Sequence, residues 1–176
     1  LSVITGQQMA PLAIGGILAV MVFMGGHISG GHYNPAVSLA AFLRGALSGS
    51  DLLPYMIAQI IGATLGALIG NLITGGSVPI APATDTPLLS AILVEFLFTF
   101  ALALTVLNVA TAQGTKGNSF YGLAIGFTVM CGAFAGGGIS GGAFNPAVGI
   151  ALSVGALLNG TGGGWMLLYI LVPLAG

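Results

Sequence analysis

Two asparagines, Asn34 and Asn145, each stand directly before Pro-Ala, and they carry the most specific chemistry in this chain. Asparagine is among the best helix N-caps, and proline is favoured at the first helical position, where no backbone N–H is needed. Asn-Pro-Ala is therefore a compact helix start. While the side-chain oxygen caps the backbone, the amide NH2 is left to donate outward. If the two helix starts met, their positive dipole ends, each about half a charge, would lie beside those donors. Water there would turn its oxygen toward the amides, and a cation or proton would meet an electrostatic barrier.

The two copies sit in matching surroundings. Residues 25–40 read GGHISGGHYNPAVSLA and residues 136–151 read GGGISGGAFNPAVGIA. Upstream, Leu-Ala-Ile-Gly occurs at Leu12–Gly15 and again at Leu123–Gly126, so both landmarks recur at an offset of 111 residues. This is an internal duplication, the pattern by which a membrane protein builds one central site from two halves.

The composition decides which solvent surrounds those halves. Of 176 residues, 56% are apolar, 31 are Gly, and only five are Asp, Glu, Lys or Arg. Five charges cannot solvate the surface of a soluble domain of this length, so lipid is the main solvent. Abundant glycine fits closely packed transmembrane helices. A net charge of −1 offers no electrostatic footprint for nucleic acid. The single Cys131 excludes an internal disulfide framework and a Cys-based zinc site, and reads as a small buried hydrophobe. The chain begins with Leu and stops at Gly176 within an apolar run, which reads as a piece of a longer protein lacking a first helix and part of a last one.

Four apolar segments, residues 10–26, 52–73, 88–112 and 119–137, approach the ~20 residues needed to cross a bilayer, and a fifth begins near Trp165. Breakers separate them at residues 48–51, 75–87, 113–118 and 159–164. From Gly25 to Pro35 and from Gly136 to Pro146, Gly and Ser are too dense for a spanning helix, which predicts loops lining a protected cavity. Half-helices are expected over 36–47 and 147–158, each about half a membrane long at ~1.5 Å per residue. Three full spans lie between Asn34 and Asn145. An odd number makes the half-helices enter from opposite faces and meet near the midplane. Arg44 and Lys116 then share one side, which the positive-inside rule makes cytoplasmic.

These residues resemble the aquaporin, or major intrinsic protein, family over nearly the whole chain. The resemblance implies an all-α membrane protein: a right-handed bundle of transmembrane helices with two inverted repeats and two re-entrant half-helices. Residues 1–74 would belong to the first repeat, 75–87 to a connecting loop and 88–176 to the second. It places Asn34, Pro35, Ala36, Asn145, Pro146 and Ala147 at the central constriction, with His32, Leu18 and Val129 on the pore wall. His27 has a lesser claim on a vestibule. Glu95, the only acidic residue within a span, is expected to accept hydrogen bonds from the re-entrant loop backbone rather than to couple protons, and Gln59 to play a similar supporting role. No cofactor or metal is expected, and the implied assembly is a homotetramer in the plasma membrane or an equivalent cell membrane.

The family's narrower filter uses four positions, one of them usually Arg directly after the second motif. Here spacing from the motifs puts Ile14, Ala133, Gly142 and Val148 at those positions. All are apolar or small, which implies a wider, more hydrophobic filter than that of a strict water channel. The Asp that marks the glycerol branch after the second motif is replaced by the run Val148-Gly149-Ile150. Asn159-Gly160-Thr161 matches a glycosylation acceptor, but a plain Asn-Gly turn is the preferred reading. The expected function is passive conduction of water and small neutral solutes such as ammonia, urea, glycerol or peroxide, with ions and protons excluded. A poorly conducting structural or junctional protein of the same fold is the alternative, and a coupled secondary transporter is a third. No set of residues suggests an enzyme.

Overall fold

The computed structural model describes residues 8–77 and 79–176. Seven α-helices follow in order: α1 (Ala10–Ser29), α2 (Pro35–Leu43), α3 (Gly49–Thr74), α4 (Leu88–Val106), α5 (Tyr121–Ser140), α6 (Pro146–Leu158) and α7 (Met166–Ala175). The end of α4 widens into a π turn, Leu107–Thr111, so that the continuous helical segment is 24 residues long. Among the described residues, α1, α3, α4 with its π turn and α5 are long and apolar enough to cross a membrane. Three of these, α3, α4 and α5, separate the two half-helices α2 and α6, as the sequence predicts. Among the described residues the regular structure is all helical, a bundle in which four helices have the length and apolarity to cross a bilayer.

The duplication is visible in the packing. Helix α1 lies along α5, and their tightest crossing joins two residues that are themselves 111 apart, Gly15 and Gly126. A Cβ at Gly15 would sit 2.5 Å from both the Gly126 carbonyl and Met130 Cβ, and one at Gly126 would strike the Gly15 carbonyl in return. Such mutual contact is what a two-fold relation between two copies produces, and only residues without side chains permit it. Between the copies a core forms from Val22, Val37, Leu102, Val106 and Ile125. Large apolar side chains on the outer faces, among them Ile17, Ile61, Leu72 and Leu97, are exposed, as lipid contact requires.

Three expectations need correction. The helices run past Gly25 and Gly136 to Ser29 and Ser140, ending only where Gly30 and Gly141 adopt φ +83° and +91°. Intrinsic propensity argues against helix here, but close packing overrides it. Val94 and Phe98 press on Gly136, and the Tyr33 hydroxyl lies against Gly25. The loops proper are therefore only four residues, 30–33 and 141–144. Secondly, α2 stops at Leu43, not near Leu47. Gly45 at φ +77° closes it with the paired bonds Gly45 N to Phe42 O and Ala46 N to Ala41 O, both 2.8 Å, a Schellman turn. Thirdly, Cys131 is exposed on α5 rather than buried. In lipid an apolar thiol loses nothing by facing outward.

Candidate functional site

Each Asn-Pro-Ala starts its half-helix as its chemistry dictates. Asn34 and Asn145 are extended, with φ −156° and −159°, and each caps its own helix: Asn34 Oδ1 accepts from Ala36 N at 2.9 Å, and Asn145 Oδ1 from Ala147 N at 3.0 Å. The amide nitrogens are not wholly free. Asn34 Nδ2 donates to the Phe144 carbonyl at 2.8 Å, and Asn145 Nδ2 to the Tyr33 carbonyl at 2.9 Å. Each amide therefore spends one N–H on the opposite loop and keeps one, a correction to the expectation that the whole NH2 faces outward.

The acceptors are held in an uncommon conformation. Tyr33 and Phe144 have φ +49° and +48° and are the non-glycine residues of positive φ among those described. This left-handed geometry is unfavourable for an L-residue and persists only where the surroundings over-determine it. Here the reciprocal bonds supply that constraint. Tyr33 is also tied through its hydroxyl to the Met21 carbonyl at 3.1 Å, and the Phe144 ring stacks near Phe98 with centroids 5.3 Å apart.

Asn34, Asn145 and His32 open onto one cavity of about 640 Å³, whose wall is mainly apolar and includes Leu18, Val129, Ile14, Gly142 and Val148. Ala133, grouped with the last three by spacing, is half-buried on α5 and is not among the residues lining this cavity. Pro35, Ala36, Pro146 and Ala147 are buried directly after the asparagines, in the first turns of α2 and α6. Ile80, from the segment between α3 and α4, also enters the cavity wall, and the adjoining Ala83 N–H bonds to the Ile139 carbonyl at 3.1 Å.

The second loop is fastened by Glu95, which is fully buried on α4. Its Oε1 accepts from Ser140 Oγ at 2.7 Å and Ala143 N at 3.0 Å, and its Oε2 from Phe144 N at 2.8 Å. The Tyr169 hydroxyl of α7 donates to the Ser140 carbonyl. A carboxylate satisfied by loop N–H groups is a fastening, since both oxygens are already engaged. The first loop is held differently: His32 N donates to the Tyr55 hydroxyl at 3.2 Å, while Gln59 Nε2 donates at 2.8 Å to Ser38 Oγ on the half-helix α2 that follows.

A second cavity of about 590 Å³ lies beyond the first loop, bounded by His27, His32, Ala46, Lys116, Asn118 and Tyr121 among others. Ala46 lies two residues past Arg44, so the arginine's turn and Lys116 share one side. At the other end of the chain Asn159 Nδ2 donates to the Gly155 carbonyl at 2.9 Å and Gly160 takes φ +70°, an Asn-Gly turn closing α6. Among the described residues there is no group of three or more His, Cys, Asp or Glu that could hold a metal.

Sequence reasoning passed over Tyr33, Phe144, Ser38, Tyr55 and Ile80. For Tyr33 and Phe144 a signal existed, an aromatic residue at the same place in both copies. For the others only the fold brings them to the site.

The pattern of paired helix starts, crossed amide bonds and duplicated spans has known counterparts. A family model, the major intrinsic protein, matches residues 2–176. This chain belongs to the major intrinsic protein family. Aquaporin TIP1-2 of Musa acuminata is 39% identical over 147 residues, covering 81% of this chain and 58% of its own. Aquaporin-8 of Rattus norvegicus is 36% identical over 151 residues, covering 81% and 57%, and Aquaporin NIP1-4 of Oryza sativa subsp. japonica is 34% identical over 167 residues, covering 94% and 59%. The chain thus spans 57–59% of the length of these major intrinsic proteins. Members of the family are channels, not enzymes.

Proposed function

We propose that the protein containing this chain is a passive channel for water and small neutral solutes, with ions and protons excluded. The observation that carries this reading is the pair of helix starts at Asn34 and Asn145, joined by reciprocal amide bonds and open to one apolar cavity. Each asparagine keeps one N–H for a passing oxygen. The dipole ends of α2 and α6 add positive potential where a cation would have to shed its hydration shell.

The filter is assigned to Ile14, Gly142 and Val148, with Ala133 as its fourth position by spacing. Its apolar character favours neutral solutes such as ammonia, urea, glycerol or peroxide over a strict water-only selectivity, and places ion exclusion on the asparagine pair. Assembly as a homotetramer in the plasma membrane or an equivalent cell membrane belongs to the same reading.

The test is osmotic swelling of proteoliposomes holding the full-length protein. Water permeability well above that of empty liposomes is expected. Verified insertion with permeability equal to empty liposomes would overturn the proposal and favour the poorly conducting structural alternative. Uptake driven by an imposed proton or sodium gradient would favour a coupled transporter, a reading weakened by the engagement of both Glu95 oxygens.

A further inference from the structure

His32 borders both cavities, the central one and the one beside Lys116, and is the polar member of the three residues that do so, with Val106 and Ile125. Any molecule moving between them passes this imidazole, so the face it presents matters. A neutral imidazole carries a hydrogen on one nitrogen and a lone pair on the other, and the partner of one nitrogen decides the role of the other.

That partner is Ser38 Oγ, completely buried and 3.1 Å from His32 Nδ1. The hydroxyl owns a single hydrogen but has three polar neighbours: Gln59 Nε2 at 2.8 Å, His32 Nδ1 at 3.1 Å and the Asn34 carbonyl at 3.2 Å. The Gln59 amide donates to it, and the Asn34 carbonyl can only accept. All three bonds form together in one arrangement alone, with Ser38 donating to Asn34 and Nδ1–H of His32 donating to Ser38. If Ser38 gave its hydrogen to Nδ1 instead, its bond to the Asn34 carbonyl would be lost, and that oxygen would keep only the Ser38 N–H at 3.0 Å. Turning the Gln59 amide round leaves the requirement in place. The hydroxyl hydrogen then goes to the amide oxygen, and Nδ1 must again donate.

Nε2 has no hydrogen-bond partner among the described residues. A Cβ built on Gly30 would lie 2.9 Å from it, so the glycine at that position keeps this nitrogen uncovered.

We infer that Ser38 locks His32 in its Nδ1–H form and thereby sets an acceptor, the Nε2 lone pair, at the junction of the two cavities. The inference rests on the channel reading above and adds a substrate class to it: at this point the permeant must donate a hydrogen. Water, ammonia and urea can do so; donor-free gases gain nothing there. His32 and the asparagines then act in sequence on opposite ends of the solute, the asparagines donating to it and the histidine accepting from it. Ser38 is a positioning residue in this scheme.

Solid-state NMR of the full-length protein with 15N-labelled histidine in lipid tests this without measuring conduction, so its outcome is separable from that of the swelling assay. The His32 signals are assigned by their loss in His32→Gln. The expected spectrum has a protonated Nδ1 and an unprotonated Nε2 that receives polarisation from water. In Ser38→Ala the two resonances should exchange types as the proton moves to Nε2, whereas Gln59→Met should leave the wild-type pattern. A wild-type His32 with its proton on Nε2 would overturn the inference whether or not either variant folds. So would an Nε2 that receives no polarisation from water.

Discussion

The side chain of Asn34 crosses from one half of the molecule to the other, 2.8 Å from Nδ2 to the Phe144 carbonyl, 110 residues away in the chain. Asn145 returns the bond to Tyr33 at 2.9 Å. The motif therefore does two jobs with one residue. It starts its own half-helix and clamps the opposing one, and the remaining N–H is aimed by both constraints. An amide held at two points loses little freedom when it meets a solute, which is what preorganisation means at a conduction site.

Replacing Asn34 by Ala removes the cap on α2 and leaves the Phe144 carbonyl without its partner. Loss of an N-cap costs about 1 kcal/mol and an unpaired buried acceptor about 1–3 kcal/mol more. The full-length variant should unfold in detergent at a clearly lower temperature than wild type. An unchanged midpoint would show that the crossed bond adds nothing to the fold.

Glu95→Gln should loosen the second loop selectively. The amide oxygen can still accept, but the NH2 cannot receive the N–H groups of Ala143 or Phe144, so about 1–3 kcal/mol is lost locally. Hydrogen exchange at Ala143 and Phe144 should quicken, with little change at His32 in the other loop. Equal acceleration in both loops would contradict the separate fastening described here.

Gly15 and its neighbour Gly16 offer a matched pair. Gly15→Ala forces a methyl to within 2.5 Å of Met130 Cβ and the Gly126 carbonyl, whereas a Cβ at Gly16 meets nothing within 4 Å. Overpacking of this kind costs about 1–3 kcal/mol. Thermal unfolding should therefore fall for Gly15→Ala, while Gly16→Ala, which gains helix propensity, should be neutral or slightly more stable.

Val148→Arg places a long cation on the cavity wall beside the second helix start. Permeability to urea and glycerol should fall roughly tenfold, equivalent to about 1.4 kcal/mol of added barrier, with water less affected. Stopped-flow light scattering on the same proteoliposomes, with each solute in turn, measures both. Undiminished urea and glycerol flux would count against Val148 as part of the filter.

Much of this was legible in the chain. Five charges among 176 residues specify lipid as the solvent, and Asn-Pro specifies a helix start, because both follow from local chemistry. Counting three spans between the motifs specified opposed half-helices, because each crossing reverses direction. Glycine density misled at Gly25 and Gly136, where helix continues because a neighbour fills the space a side chain would occupy. Local propensity carries no information about that neighbour. The left-handed Tyr33 and Phe144, the grip of Glu95 on Ala143 and Phe144, and the Ser38 hydroxyl that takes up Nδ1 of His32 are likewise products of long-range contact. The medium, the helices and the two donors follow from residue types and their spacing along the chain. Where each donor's second hydrogen bond goes follows from folding, since its acceptor lies in the other half of the duplication.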